Sequence, residues 1–307
     1  MKRTPSLFLI LSLFPFIVSC NGKKPSGQND QAGSEWAAMK ARLSQGWNTW
    51  DTRSVLSHVL LPEGFSISLQ LVSHQTGDTL EEALIGRSDH GTKERIIPGP
   101  HAWDGSYTEL VVEWQGIGIG VRSAAVDNEF FLQISPMRQS PGDALVLDPQ
   151  MLWGRPGEIR ITGGMIRADT PSGPTELAVA AGRYLATDKN WKFSLAEPIA
   201  ITTDPSKTAE EIGEIMDKAE ARCAARKSEY PEAPDAYEAL QTVLAWNTIY
   251  DPGNGRVISP VSRTWSVPSG GWVLFEWDTY FAAYMLSLDC KELAYANAIA
   301  ITNEITE

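Results

Sequence analysis

The spacing of apolar residues changes at Asp204-Pro205, and that change constrains the fold more than any other feature of the chain. Upstream, from about Trp47 to Thr203, apolar positions come in short alternating runs. Phe65, Ile67, Leu69 and Leu71 alternate with Ser66, Ser68 and Gln70, the period of a half-buried strand. Residues 109–114, 117–122, 129–135, 158–162 and 176–181 are further predicted strands. Pro98-Gly99-Pro100, Pro141-Gly142-Asp143 and Pro171-Ser172-Gly173-Pro174 punctuate them. Many short strands with Pro/Gly turns and no helical pattern between them predict an antiparallel β-sandwich over residues 34–204.

Downstream the period becomes helical. Asp204 is a good N-cap and Pro205 a good first residue. Ile212, Ile215, Met216, Ala219 and Cys223 then recur on one face, which predicts a linker helix over 205–230. Pro231 and Pro234 end it. A second helix is expected from about Asp235, with Leu240, Val243, Leu244 and Asn247 on one side. A third is expected over 276–288 and a fourth from Lys291 through Leu293, Ala296, Ile299 and Ala300. The sequence ends at Glu307 inside that pattern, without the Gly or Pro stop that usually closes a helix.

The N-terminus carries a targeting signature. Lys2 and Arg3 precede an apolar run over 7–18, too short to span a bilayer of roughly 30 Å as a stable helix. Ile17-Val18-Ser19-Cys20 then looks like the lipobox of bacterial lipoproteins. In these proteins residues 1–19 are removed and Cys20 is acylated as the new N-terminus. The expected location is therefore the bacterial cell envelope, lipid-anchored, with the membrane as a partner through Cys20. The polar stretch 20–33, with Gly22, Pro25, Gly27 and Gly33, reads as a flexible tether. Cys223 and Cys290 lie in helical patterns and read as small buried residues rather than a bridge or a nucleophile.

Charge and composition narrow the partners. The net charge is −12, which argues against nucleic acid. Trp (11) outnumbers Phe (9), and flat indole faces suit sugar rings as well as cores. Several motifs fail on context. Gly116, Gly118 and Gly120 have no helix after them to hold a phosphate. The Trp-Asp pairs at Trp50, Trp103 and Trp277 are spaced by 53 and 174 residues rather than by a propeller repeat of roughly 40. His58, His74, His90 and His101 show no i, i+4 pairing, so no metal site is expected. No cofactor is implied.

One segment, 246–284, holds the elements of a sugar site. Trp246, Trp265, Trp272 and Trp277 interleave there with Asn247, Asp251, Arg256, Arg263, Glu276 and Asp278, and a Gly-rich loop leads into a helix. Aromatic faces stack on pyranose rings, while Arg, Asn and Asp read hydroxyls. A protonated carboxylic acid supplies the leaving oxygen with its proton. Trp277, Tyr280 and Phe281 flank Asp278. Crowding by these rings would favour the protonated form a general acid needs, whereas a helix N-terminus favours the charged form. Spacing alone equally supports a second arrangement, with Trp277, Phe281 and Tyr284 in the core and Asp278 capping the helix.

The string Phe275-Glu276-Trp277-Asp278-Thr279-Tyr280-Phe281, preceded by Asn247, Asp251-Pro252 and Arg263-Thr264-Trp265, resembles the start of the catalytic barrel in glycoside hydrolase family 63 and its mannosylglycerate-hydrolase-like and mannosyl-oligosaccharide-glucosidase-like relatives. The resemblance implies an N-terminal β-sandwich, a helical linker and an (α/α)6 barrel, of which residues 231–307 would supply the first helices. It implies Asp278 as general acid and, more loosely, Trp246, Arg263 and Trp265 as sugar-binding positions. Asn247, Trp272 and Trp277 complete the candidate substrate-binding set. The implied activity is inverting hydrolysis of an α-glucoside or α-mannoside. The family's base lies late in the barrel, roughly 6.5–9.5 Å from the acid. Glu276 does not replace it, since two residues along a helix it points about 200° away. The chain as it stands is therefore read as an incomplete barrel lacking the base, without hydrolytic activity. The other readings are a surface carbohydrate-binding lipoprotein that uses the sandwich, and a lyase or isomerase on an α/α toroid. The Trp47-Asn48-Thr49-Trp50-Asp51 cluster reads as a sandwich feature that leans on the helical part.

Overall fold

A computed structural model of the protein describes residues 26–85, 94–138, 142–264 and 271–304. Cys20 and Trp265 lie outside these residues, as do the signal segment 1–19 and His90. The chain divides into two compact units, Met1–Ala37 and Ala38–Glu307. In the first, the described residues are helical, within α1 (Ser26–Leu43). Helix thus begins inside the stretch read as a tether. The run from Glu35 to Ala41 is rich in strong helix formers, and no proline follows Pro25 to stop it from propagating backward.

The second unit is β first and α second. Its strands are β1 (Gly46–Asn48), β2 (Ser57–Leu61), β3 (Phe65–Val72), β4 (Thr79–Leu80), β5 (Glu94–His101), β6 (Tyr107–Trp114), β7 (Ile117–Val126), β8 (Glu129–Pro136), β9 (Ala144–Met151), β10 (Glu158–Thr162), β11 (Met165–Thr170), β12 (Gly173–Ala181), β13 (Tyr184–Ala186), β14 (Trp191–Ser194) and β15 (Ile199–Thr202). They form two antiparallel sheets. One runs β1-β2-β3-β9-β14-β13, with β4 also on β3. The other runs β10-β11-β12-β15-β8-β7-β6-β5.

The inner faces of the sheets share one core. Phe65, Ile67, Leu69, Leu71, Leu145, Leu147 and Phe193 from the first meet Val112, Ile119, Phe130, Leu132, Ile134 and Ile201 from the second. Trp47 of β1 stacks on Phe130 of β8 across that interior, with centroids 4.4 Å apart and planes at 23°. β3 is not half-buried as its alternation predicts. Ser66 and Ser68 are buried too, and the Ser66 hydroxyl pairs with that of Ser57 at 3.1 Å. Gly105 shows how closely the chain approaches β1. Its φ is +74°, and a Cβ there would lie 2.6 Å from the Trp47 carbonyl oxygen, so only glycine fits.

Helix α2 (Ala209–Ala225) lays Ile212, Met216 and Ala219 against Tyr107, Ala124, Phe131 and Ala200, on the outer face of the second sheet. Arg122 fastens it there, donating to Asp217 (2.9 Å) and Glu220 (3.0 Å). The helix starts later than Asp204-Pro205 predicts. Asp204 accepts from the backbone and hydroxyl of Ser206 in a turn, whereas Thr208 and Glu211 form a reciprocal capping box. A 3-10 turn (Arg226–Glu229) follows. Then come α3 (Pro234–Asn247), the hairpin β16 (Ile249–Asp251) and β17 (Arg256–Ile258), α4 (Glu276–Leu286) and α5 (Lys291–Glu304).

Candidate functional site

The sequence candidates separate into a buried group and an open group. Trp246 belongs to the buried one. At the end of α3 it joins the sandwich core, its indole N–H donating to the Gly99 carbonyl at 2.8 Å. His101 meets it edge-on, with centroids 4.6 Å apart. His101 Nδ1 faces the Ala102 carbonyl at 2.7 Å and must donate to it, so Nε2 accepts the Thr49 hydroxyl at 2.9 Å. Burial pushes His101 down to about 3 and keeps it neutral. Trp246 therefore presents no face to a sugar ring.

Arg263 is buried as well. Its Nη1 donates to the Thr49 carbonyl (3.1 Å) and its Nη2 to the Thr248 carbonyl (2.6 Å), while Nε has no partner. Burial lowers it to about 10, with Asp51 pulling the other way. Asn247 uses both ends of its amide, accepting from the Arg263 backbone (3.3 Å) and donating to the Val243 carbonyl (3.0 Å). These two candidates hold the chain together instead of reading hydroxyls. They also explain the Trp47–Asp51 cluster. Thr49 accepts from Arg263 and the Trp50 carbonyl accepts from the Tyr250 backbone at 3.1 Å, so the cluster forms the seam between sandwich and helical part.

Asp251 is committed in the same way. Buried in the hairpin, it accepts from the backbones of Gly253 and Asn254, the Asn254 amide and Arg256 Nε (2.9 Å), and Arg256 reaches on to Glu304 (2.8 Å). Its lone pairs are spent on one turn, which leaves no acceptor for chemistry. Trp272 is half-buried and packs with Leu274 on Ile249, Ile258 and Ala300.

The open group lies on α4. Phe275 holds the N-cap position in extended backbone without a side-chain cap, so Asp278 sits in the first turn and does not cap it. Thr279, Ala282, Ala283 and Leu286 face inward. Trp277, Phe281 and Tyr284, at i, i+4 and i+7, face outward with 66%, 57% and 77% exposure. The arrangement with these rings in the core and Asp278 as a cap is overturned. Trp277 and Phe281 meet edge-to-face at 5.8 Å, beside a half-exposed carboxyl that has no hydrogen-bond partner among the described residues. Tyr295 of α5, 61% exposed, adds a ring that sequence reasoning passed over.

Among the described residues, no three His, Cys, Asp or Glu side chains converge as metal ligands, and Cys223 and Cys290 are both free. The sandwich also holds an open groove of about 660 Å3, lined by Gln45, Glu63, Asp104, Asn128, Ser172 and Thr175 among others. Compared with known proteins, the chain matches no protein-family model, and no curated protein matches it.

Proposed function

We propose that this chain contributes the acid half of a glycoside-hydrolysing site of the glycoside hydrolase family 63 kind, acting on an α-glucoside or α-mannoside. On this reading α3 to α5 are the opening helices of an (α/α)6 barrel, and a lipid on Cys20 holds the protein at the bacterial envelope. The observation that carries it is the first two turns of α4, where Asp278 stands solvent-accessible beside the outward faces of Trp277 and Phe281. The rings would stack on the apolar faces of a bound pyranose and so fix it over the helix end. Asp278 would then hand its proton to the glycosidic oxygen as the bond to the leaving sugar breaks. In the inverting reaction a water on the opposite sugar face completes the displacement. No described residue is assigned as the base that activates it.

Titrating the purified chain with α-linked gluco- and manno-oligosaccharides, followed by Trp fluorescence, tests the reading. Saturable quenching that Trp277→Ala removes is the expected result. No response to any of these oligosaccharides would overturn it. In a complete homologue that also carries the base, the change corresponding to Asp278→Asn is expected to lower kcat by at least ~10² with little change in KM. A wild-type kcat would remove Asp278 from the mechanism.

The groove between the sheets favours a second reading, a carbohydrate-binding lipoprotein that uses the sandwich. Its lining supplies hydroxyl, amide and carboxylate groups that pair with sugar hydroxyls. Loss of glycan binding on Asn128→Ala, with Trp277→Ala silent, would distinguish it from the α4 site.

A further inference from the structure

A small, partly open cavity lies at the other end of α4 from Asp278. About 180 Å3 in volume, it is walled by the end of β5, the last turn of α2, the 3-10 turn, α3 and the turn after α4. Asp289 in that turn is eleven positions past Asp278, roughly 16 Å along a helix axis. Neither the α4 aromatic face nor the groove between the sheets includes it.

The wall carries polar groups that the fold leaves unspent. Arg226 is half-buried, and its guanidinium has no hydrogen-bond or ion-pair partner among the described residues. Half-exposed and without a protein partner, it has five donors open to a ligand's acceptors. Opposite in sign is Asp289, half-buried, which accepts from the Tyr237 hydroxyl through one oxygen and has no partner for the other among the described residues. Gln241 donates its amide nitrogen to the Met285 carbonyl at 3.4 Å, which leaves its amide oxygen free, and Thr242 adds a hydroxyl. Lys227 also lines the wall but is already paired with Glu238.

We infer that this cavity binds one small neutral polyol, from a triol up to a single monosaccharide. The occupant must accept from Arg226 and donate to Asp289 and Gln241 at the same time. Hydroxyls on neighbouring carbons do both, since each is donor and acceptor. An anion would satisfy Arg226 but confront Asp289, while a cation would leave Arg226 unpaired and repelled. The volume far exceeds the need of one water and falls below the roughly 300–1,000 Å3 that holds larger organic ligands. Burial also raises the Asp289 carboxyl above its ordinary value, against smaller downward pulls from the Tyr237 hydroxyl and from Arg226.

Cys223 lines the cavity and reports on it. The full chain is alkylated with and without glycerol, glucose or mannose, and with acetate or phosphate as anion probes, and the modified peptides are resolved by mass. At ten times Kd a bound polyol is expected to slow modification of Cys223 about tenfold while Cys290 is unaffected. Arg226→Met and Asp289→Asn should each abolish the protection. Neither should unfold the protein, because Arg226 has no partner to lose and the amide oxygen that Asp289→Asn introduces still accepts from Tyr237; a thermal melt checks this. Asp278→Asn and Trp277→Ala should leave the protection intact, which separates this site from the α4 face. Protection by anions but not polyols, absence of protection by any polyol, or protection that survives Arg226→Met would each overturn the inference.

Discussion

The Arg263 guanidinium donates to the Thr49 carbonyl at 3.1 Å and so joins two positions 214 residues apart. Its other arm holds the Thr248 carbonyl at the end of α3. Among the described residues no carboxylate touches it, and Asp51, whose charge acts on it, is already bound by Arg53 at 3.2 Å. A cation buried this way joins the seam through backbone acceptors. Arg263→Met strands two buried carbonyls and is expected to lower unfolding free energy by about 2 kcal/mol. Arg263→Lys, which cannot reach both, should recover less than half of that. Urea melts measure the loss. A wild-type midpoint accompanied by loss of sugar binding would return Arg263 to the binding site.

Two buried histidines set the acid limit of the fold. Burial pushes His101 to about 3, and pushes His58 to about 4 against a smaller opposing pull from the Leu56 backbone. The unfolded chain takes up protons at these rings below about 6.5, where the folded chain does not. Stability is therefore full above about 6.5 and falls as pH drops toward 4, by up to about 1.4 kcal/mol per pH unit for each ring. Denaturant melts from pH 7.5 to 4 should show this slope, reduced by about one proton in His58→Leu. A flat profile between pH 6.5 and 4 would rule the mechanism out.

The start of α2 gives a local test. Thr208→Ala removes the hydroxyl that accepts from the Glu211 backbone and should cost about 1 kcal/mol. Because Glu211 returns the bond to the Thr208 backbone at 2.9 Å, Glu211→Ala added to Thr208→Ala should cost less than the two losses together. Strict additivity in a double-mutant cycle would show that the two halves of the box act independently.

What the sequence revealed followed from how local each feature is. Strands β6, β7, β8 and β10 were legible because one face of each meets a core, which imprints a period on the residues themselves. Helices α3 and α4 were legible as helices but not by their buried face, since Leu240, Val243, Trp277, Phe281 and Tyr284, which carry much of the apolar spacing, are exposed. The start of α2 was placed too early at Asp204-Pro205, because the reciprocal bonding of Thr208 and Glu211, which selects the true start, leaves no trace in apolar spacing. The short hairpin of β16 and β17 leaves no periodic trace, since three residues a side cannot show one. Trp246 and Arg263 were legible as residue types but not as environments. The acceptors that define them, Gly99 and Thr49, lie 147 and 214 positions away. The cavity around Arg226 left no signal, because its walls come from five separate elements.

Trp246 and Trp277 fall in the one segment that reads as a sugar site, yet the fold gives them opposite roles, and paired substitutions should separate these. Trp246 is 3% exposed and ties α3 to the sandwich through Gly99, so Trp246→Phe loses that hydrogen bond and part of its packing, at about 1–3 kcal/mol. Its sugar affinity should be unchanged. Trp277 is 66% exposed, so Trp277→Ala should move stability by no more than about 0.5 kcal/mol while weakening oligosaccharide binding at least ~10-fold, the scale of one stacked ring. Melting curves and calorimetric titrations on the same two proteins supply both readouts. If Trp246→Phe weakened binding at full stability, or Trp277→Ala unfolded the chain and left binding unchanged, the buried and open groups would have to exchange roles.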